Sequence, residues 1–246
     1  MKAPLTGRRS AVGAGLTVLA TGEAAGQGGD AGHVVLLGDS IFDNKGYVAG
    51  GPDVVAHLRN RLPAGWRGSL AAVGGAVAGD VVRQLGRVPQ GASHLVVSAG
   101  GNDALRQEAI LGQEARSVGE GLVRLAAVVD RFRQDYRAML DAVLARRLPT
   151  AVCTVYDPRF ADPQRQQLAV AGLVLFNDAI TREAFRRGLP LIDLRLVCDE
   201  AADFANAIEP SVQGGRKIAG AIARFALDRP GGRSVIYGGQ LGGSAA

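Results

Sequence analysis

Three short stretches set chemically capable side chains at the ends of apolar runs: "LLGDSIFDN" (36–44), "VGGAVAG" (73–79) and "SAGGNDAL" (98–105). In the first, the run stops at Gly-Asp-Ser. The Ser40 oxygen can cap the next piece of backbone by accepting from free amides. It can also act as an alcohol nucleophile in acyl transfer. That chemistry needs donors aimed at the oxygen where negative charge develops, and a group to take the serine proton. Asp39 and Asp43 flank Ser40 and suit loop-holding or capping. Asn102 suits a turn, which Asp103 would order. The first turn lacks both G-x-G-x-x-G and G-x-x-x-x-G-K-[ST], which argues against a nucleotide site. The G-x-S-x-G elbow is absent as well. No Cys/His spacing suggests zinc, and no metal or organic cofactor is implied.

The elements that must position these residues follow from hydrophobic pattern. Apolar runs without helical period predict strands over 33–40, 68–75, from His94, 150–157 and 189–198. Helices are predicted over 52–62, 79–88, 117–147, 163–187 and 211–227, with Ser211 as the cap of the last. In 117–147 the apolar positions Val118, Leu122, Leu125, Val129, Phe132, Tyr136, Met139 and Val143 recur at three and four. In 163–187, Leu168, Leu175 and Phe185 mark the apolar side. Strands apolar on both faces, alternating with helices, imply a parallel sheet covered on both sides. Such sheets bind ligands at the C-terminal ends of their strands. Ser40, Gly74–Gly75, Gly100–Asp103 and the loop 199–210 therefore converge on one edge.

The 246 residues are 47% hydrophobic, enough for one sizeable core. The 28 basic against 23 acidic residues give a net charge of +5, but the arginines are dispersed in pairs rather than clustered. With aromatics at 5%, neither a basic patch nor a stacking platform for nucleic acid is present. Cys153 and Cys198 each sit near the end of an apolar run, as two buried thiols or a pair. Residues 1–31 have a basic start, a short apolar stretch and then small residues. This order matches a secretory signal or a disordered leader, and the apolar part is too short to span a membrane. The protein is thus periplasmic or secreted if that leader is a signal, and otherwise cytoplasmic. The domain is expected over 32–228, with a flexible Gly-rich tail over 229–246.

"GDSIFDN", "AVGGA" and "GGND", in that order and each at a strand end, resemble the sequence blocks of the SGNH/GDSL hydrolases. The resemblance covers most of the chain after residue 31. It implies a flavodoxin-like three-layer α/β/α sandwich with a five-stranded parallel sheet. It also implies Ser40 as nucleophile, with the Gly75 amide and the Asn102 side chain completing an oxyanion hole. The family acts mostly on carboxylic esters, thioesters and O-acetyl groups of carbohydrates. The partner is then a small ester or acylated carbohydrate. The short loops 104–116 and 157–163 predict a shallow cleft for a small acyl group, acetyl before long-chain, with Arg159 facing an anionic substrate.

The chain departs from the family where Asp-x-x-His-Pro normally precedes the last helix. Here the stretch is "NAIEPS" (206–211), with Asn206 at the aspartate position, Glu209 at the histidine position and Pro210 retained. His33 and His94 start strands at the opposite end of the sheet, and His57 lies in the first helix. Two readings follow. In one, Glu209 is the general base, oriented by Asp203 or Asp199 and touched by a hydrogen bond from Asn206. A carboxylate near its reference pKa of about 4.3 is a poor match to a serine hydroxyl unless burial raises it. In the other, the site binds an acylated or carbohydrate ligand without turnover.

Overall fold

The computed structural model describes residues 31–228 and 235–238. Most of the expected leader and tail therefore lies outside the described residues. Six strands form one sheet: β1 (His33–Gly38), β2 (Arg67–Leu70), β3 (His94–Ser98), β4 (Thr150–Cys153), β5 (Leu191–Ile192) and β6 (Ile236–Tyr237). Their spatial order is β2-β1-β3-β4-β5-β6, and every pairing is parallel. The expected sheet had five strands. The sixth forms in the Gly-rich tail, where Val235 and Tyr237 carbonyls accept from Leu191 and Asp193 amides at 2.8 and 2.9 Å.

Among the described residues, seven α-helices flank the sheet: α1 (Val54–Arg61), α2 (Ala78–Gln84), α3 (Gly101–Leu105), α4 (Val118–Leu144), α5 (Pro163–Arg186), α6 (Leu194–Val197) and α7 (Val212–Leu227). The period of two along β1 divides the core into two layers. Val34 and Leu36 pack with Leu58 of α1 and with Ile218 and Ile222 of α7. Val35 and Leu37 pack with Phe132 and Tyr136 of α4 and Ile180 of α5. This is the three-layer α/β/α sandwich.

Several helices start where the sequence supplies a cap. The side chains of Asp53, Ser117, Asp162 and Ser211 accept from amides of the first turns of α1, α4, α5 and α7. Pro163 opens α5, where a missing N–H costs nothing. Three expectations shift. The run 189–198 is not one strand, because Asp193 caps a new helix, α6, accepting from the Arg195 amide and the Thr154 hydroxyl. The apolar stripe of α4 is only partly buried. Val129, Phe132, Tyr136, Met139 and Val143 lie in the core, whereas Val118 is 81% and Leu122 58% exposed. At about 1.5 Å per residue α4 is about 40 Å long, so its first half overruns the sheet. On α5 the buried apolar residues are Leu173, Phe176, Ala179, Ile180 and Ala184, while Leu168 and Phe185 are exposed.

Candidate active site

The chain leaves β1 through Gly38, whose φ of +128° favours glycine. A Cβ there would lie 1.8 Å from the Ser98 carbonyl oxygen, so β1 and β3 close up only around a glycine. Gln84 of α2, buried on an otherwise apolar helix face, clamps this residue. Its Oε1 accepts from the Gly38 amide at 2.7 Å and its Nε2 donates to the Gly38 carbonyl at 2.7 Å. Beyond this clamp come Asp39 and Ser40. Because β1 and β3 are neighbours whose chains leave to different sides, the site sits at the sheet's switch point.

The glycine loop after β2 reaches the same place. Asp43 Oδ2 accepts from the Gly74 amide at 2.9 Å, and a Cβ on Gly74 would stand 3.9 Å from Ser40 Cβ. Gly75 takes φ +77°, a left-handed conformation that favours glycine. Asn102, at the start of α3, donates through Nδ2 to the Ala76 carbonyl at 3.0 Å. That bond fixes the carboxamide against the glycine loop and leaves its second N–H free to donate. Asp103 accepts from the Ala78 amide at 3.1 and 3.3 Å, tying α3 to α2. The amides of Ser40 and Gly75 make no hydrogen bond among the described residues. Ser40, Gly75 and Asn102 are thus brought together.

Glu209 arrives from the segment before α7. Asn44, fully buried, joins it to the Ser40 loop: Nδ2 donates to the Pro210 carbonyl at 3.1 Å while Oδ1 accepts from the Val54 amide. The Tyr156 hydroxyl donates to the Ile208 carbonyl at 2.7 Å. The hydroxyls of Ser40 and Tyr47 face the Glu209 carboxyl. Burial raises its pKa, those two hydroxyls pull it back by favouring the charge, and Asp43 pushes it up again. Oε2 is buried without a hydrogen-bond partner among the described residues.

The supporting residues expected around Glu209 do other work. Asn206 does not donate to its carboxyl; Asn206 Oδ1 accepts from the Ile208 and Glu209 amides and shapes the turn. Asp203 is fully buried but pairs with Lys217 Nζ at 2.8 Å and with Gln213. Asp199 lies on the same lysine. Neither aspartate reaches Glu209, because each hydrogen-bonds toward α7. Arg159 does not face a ligand either, since it donates to the Asp199 carbonyl and covers the Phe204 ring. Asp39 is buried, with Oδ1 accepting from the Ile41 amide at 3.1 Å. Burial, and then the charges of Glu209 and Asp103, raise it to about 7 against that hydrogen bond. Burial likewise pushes Asp103 to about 6.

Tyr47, Asn44 and Gln84 were not anticipated. A glutamine at an apolar position of α2 was a readable signal; a tyrosine in a polar loop was weaker. His33 and His94 pair with Ser69 and Ser93 at the far end of the sheet. His57 packs at the α1–α7 contact beside Gly215. Cys153 and Cys198 are free buried thiols. No cluster fit to bind a metal ion occurs among the described residues. No helix among them is long and apolar enough to cross a membrane.

A cleft opens beside Ser40, Asp39 and Asn102. Its walls are apolar and reach beyond the two short loops, along the first half of α4 (Leu125, Val128) and along α5 (Leu173, Phe176). A 3-10 turn, Glu108–Gly112, covers one side, and its Glu108 makes a two-pronged ion pair with Arg165 of α5 at 2.6 and 3.0 Å.

The model of the GDSL-like Lipase/Acylhydrolase family matches residues 36–216. No curated protein sequence matches the chain. Among solved structures, the extracellular lipase from Streptomyces rimosus is 19% identical, with a TM-score of 0.57 over 80% of this chain and 98% of that one. Phospholipase A1 from Streptomyces albidoflavus NA297 is 16% identical, with a TM-score of 0.58 over 80% and 98%. The lipase Lip_vut3 from a goat rumen metagenome is 16% identical, with a TM-score of 0.62 over 80% and 99%. At such identities these likenesses establish the fold.

Proposed function

This chain belongs to the GDSL-like lipase/acylhydrolase family and is an ester hydrolase, and on that footing we propose how it acts on a small ester. Ser40 is the nucleophile and Glu209 the base. The Ser40 oxygen attacks the ester carbonyl while the Glu209 carboxylate takes its proton. The carbonyl oxygen becomes an oxyanion held by the amides of Ser40 and Gly75 and by the Asn102 carboxamide. As the tetrahedral centre collapses, Glu209 returns the proton to the departing alkoxide and the alcohol leaves. Water then attacks the acyl-serine, again giving its proton to Glu209. The second collapse expels the Ser40 oxygen, which recovers that proton, and the acid is released.

The observation that carries this reading is a buried carboxyl beside the Ser40 hydroxyl, with its Oε2 unpartnered among the described residues. Burial supports the base role by lifting Glu209 toward the working pH, where proton transfer is more efficient. The test is release of p-nitrophenol from short-chain p-nitrophenyl esters across pH 4–9. Ser40→Ala should abolish turnover. Glu209→Gln should lower kcat by about 10²–10⁴, the usual worth of general-base catalysis. The wild-type rate should climb with pH through a midpoint above 4.5, since the base must be ionised and Glu209 is raised from that value. Equal rates for wild type and Ser40→Ala would refute the nucleophile. An acetylated glycan bound without turnover, with affinity kept in Glu209→Gln, would mark the site as binding-only.

A further inference from the structure

Gly172 stands in the middle of α5, where a glycine costs about 1 kcal/mol relative to alanine. Neither of the usual compensations applies. Its φ is not positive, and a Cβ built on it meets nothing within 4 Å. No neighbouring backbone or side chain requires the small residue. What lies in front of it is the apolar cleft that has Ser40 and Asn102 among its lining residues. The glycine keeps one wall of that cleft open.

We propose that Gly172 sets the length of acyl chain this enzyme accepts, by leaving the Ser40 cleft open along α5 to a medium-length chain rather than to acetyl. This rests on Ser40 being the reacting residue. The α5 wall runs from Ala169 to Phe176, about 10 Å at 1.5 Å per residue. An extended chain advances about 1.2 Å per bond, so this wall covers roughly eight bonds. Leu125 and Val128 of α4 and Leu105 and Leu111 supply apolar surface opposite. Asp39, Ser40 and Asn102 lie at the end where the ester carbonyl would sit. A cleft with that division favours a hydrocarbon tail over an acetyl group or a sugar.

The experiment measures kcat/KM for p-nitrophenyl esters from acetyl to dodecanoyl, below their aggregation limits, for wild type and for Gly172→Leu. Each methylene taken from water is worth about fourfold. The wild type should prefer octanoyl over acetyl by at least about a hundredfold. A leucine side chain occupies the room of about three methylenes, so Gly172→Leu should lower the octanoyl-to-acetyl ratio about fiftyfold. Val174→Leu, on the exposed side of the same helix, should keep the wild-type ratio. Thermal melting of both variants should match wild type or exceed it. A ratio in Gly172→Leu equal to that of wild type overturns the proposal, as does an acetyl preference in wild type.

A second readout separates this from the identity of the nucleophile. Octanamide binding to Ser40→Ala, followed by calorimetry, needs no turnover. It should be lost when Gly172→Leu is added, whereas undiminished binding in the double variant overturns the proposal. Should Ser40→Ala retain full esterase activity while Gly172→Leu still shifts chain length, the nucleophile assignment fails and the length determinant stands.

Discussion

Asp39→Asn tests the electrostatics of the site in quantitative terms. Asp39 is buried beside Ser40, and its carboxyl is raised from 3.8 to about 7. Below pH 3.8 the group is neutral in both folded and unfolded chains and contributes nothing. Between pH 3.8 and about 7 the unfolded chain ionises while the folded one holds its proton, so the folded state binds more protons and loses stability as pH rises. About three pH units at 1.36 kcal/mol each give about 4 kcal/mol lost by neutrality. Asparagine cannot ionise, and its Oδ1 can still accept from the Ile41 amide. The variant should therefore show a much flatter stability profile than wild type between pH 4 and 7.5, measured by urea unfolding. Asp103, at about 6, and Glu209 are raised in the same direction, so a residual slope survives in the variant. Slopes that differ by less than about 1 kcal/mol over this range would refute the reasoning. The functional corollary is that below about pH 7 Asp39 stays protonated beside Ser40.

Tyr47→Phe removes a hydroxyl that favours the charged form of Glu209. The acid limb of the pH–kcat/KM profile should move to higher pH, whereas a merely structural defect would lower the curve evenly. Gln84→Leu leaves the buried amide and carbonyl of Gly38 without their 2.7 Å partners. Urea unfolding should report a loss of about 2–6 kcal/mol, at 1–3 kcal/mol for each unsatisfied group. Asn44→Ala frees the Pro210 carbonyl from the Ser40 loop. It should lower kcat more than it raises KM, because it displaces the Glu209 segment relative to Ser40 without touching the cleft walls.

The chain sequence by itself determined the layer architecture and the end of the sheet at which the candidate site gathers. Strands such as "HVVLLG" are apolar on both faces, which only a sheet covered on two sides can bury. Ser40, Gly75 and Asn102 were legible because each follows directly on a strand or its glycines, so local chain direction fixes where they emerge. Glu209 was legible as a position but not as an environment. Its neighbours Ser40 and Tyr47 are far away along the chain, while the nearby Asn206 and Asp203 turn to the backbone and to Lys217.

Tertiary structure alone decided which partner each polar group found. Gln84 reaches Gly38 across 46 residues and Asn44 reaches Pro210 across 166. Periodicity marks the stripe of α4 but not where the sheet beneath it ends, so the exposure of Val118 and Leu122 and the apolar lining of the cleft were hidden. The short strand β6 was equally invisible, since two residues carry no period and pair only because the edge of β5 lies open beside them. Local pattern reports which surfaces must be buried. Only the assembled fold reports against what, and that difference sets the surroundings of Glu209 and the apolar walls of the cleft beside Ser40.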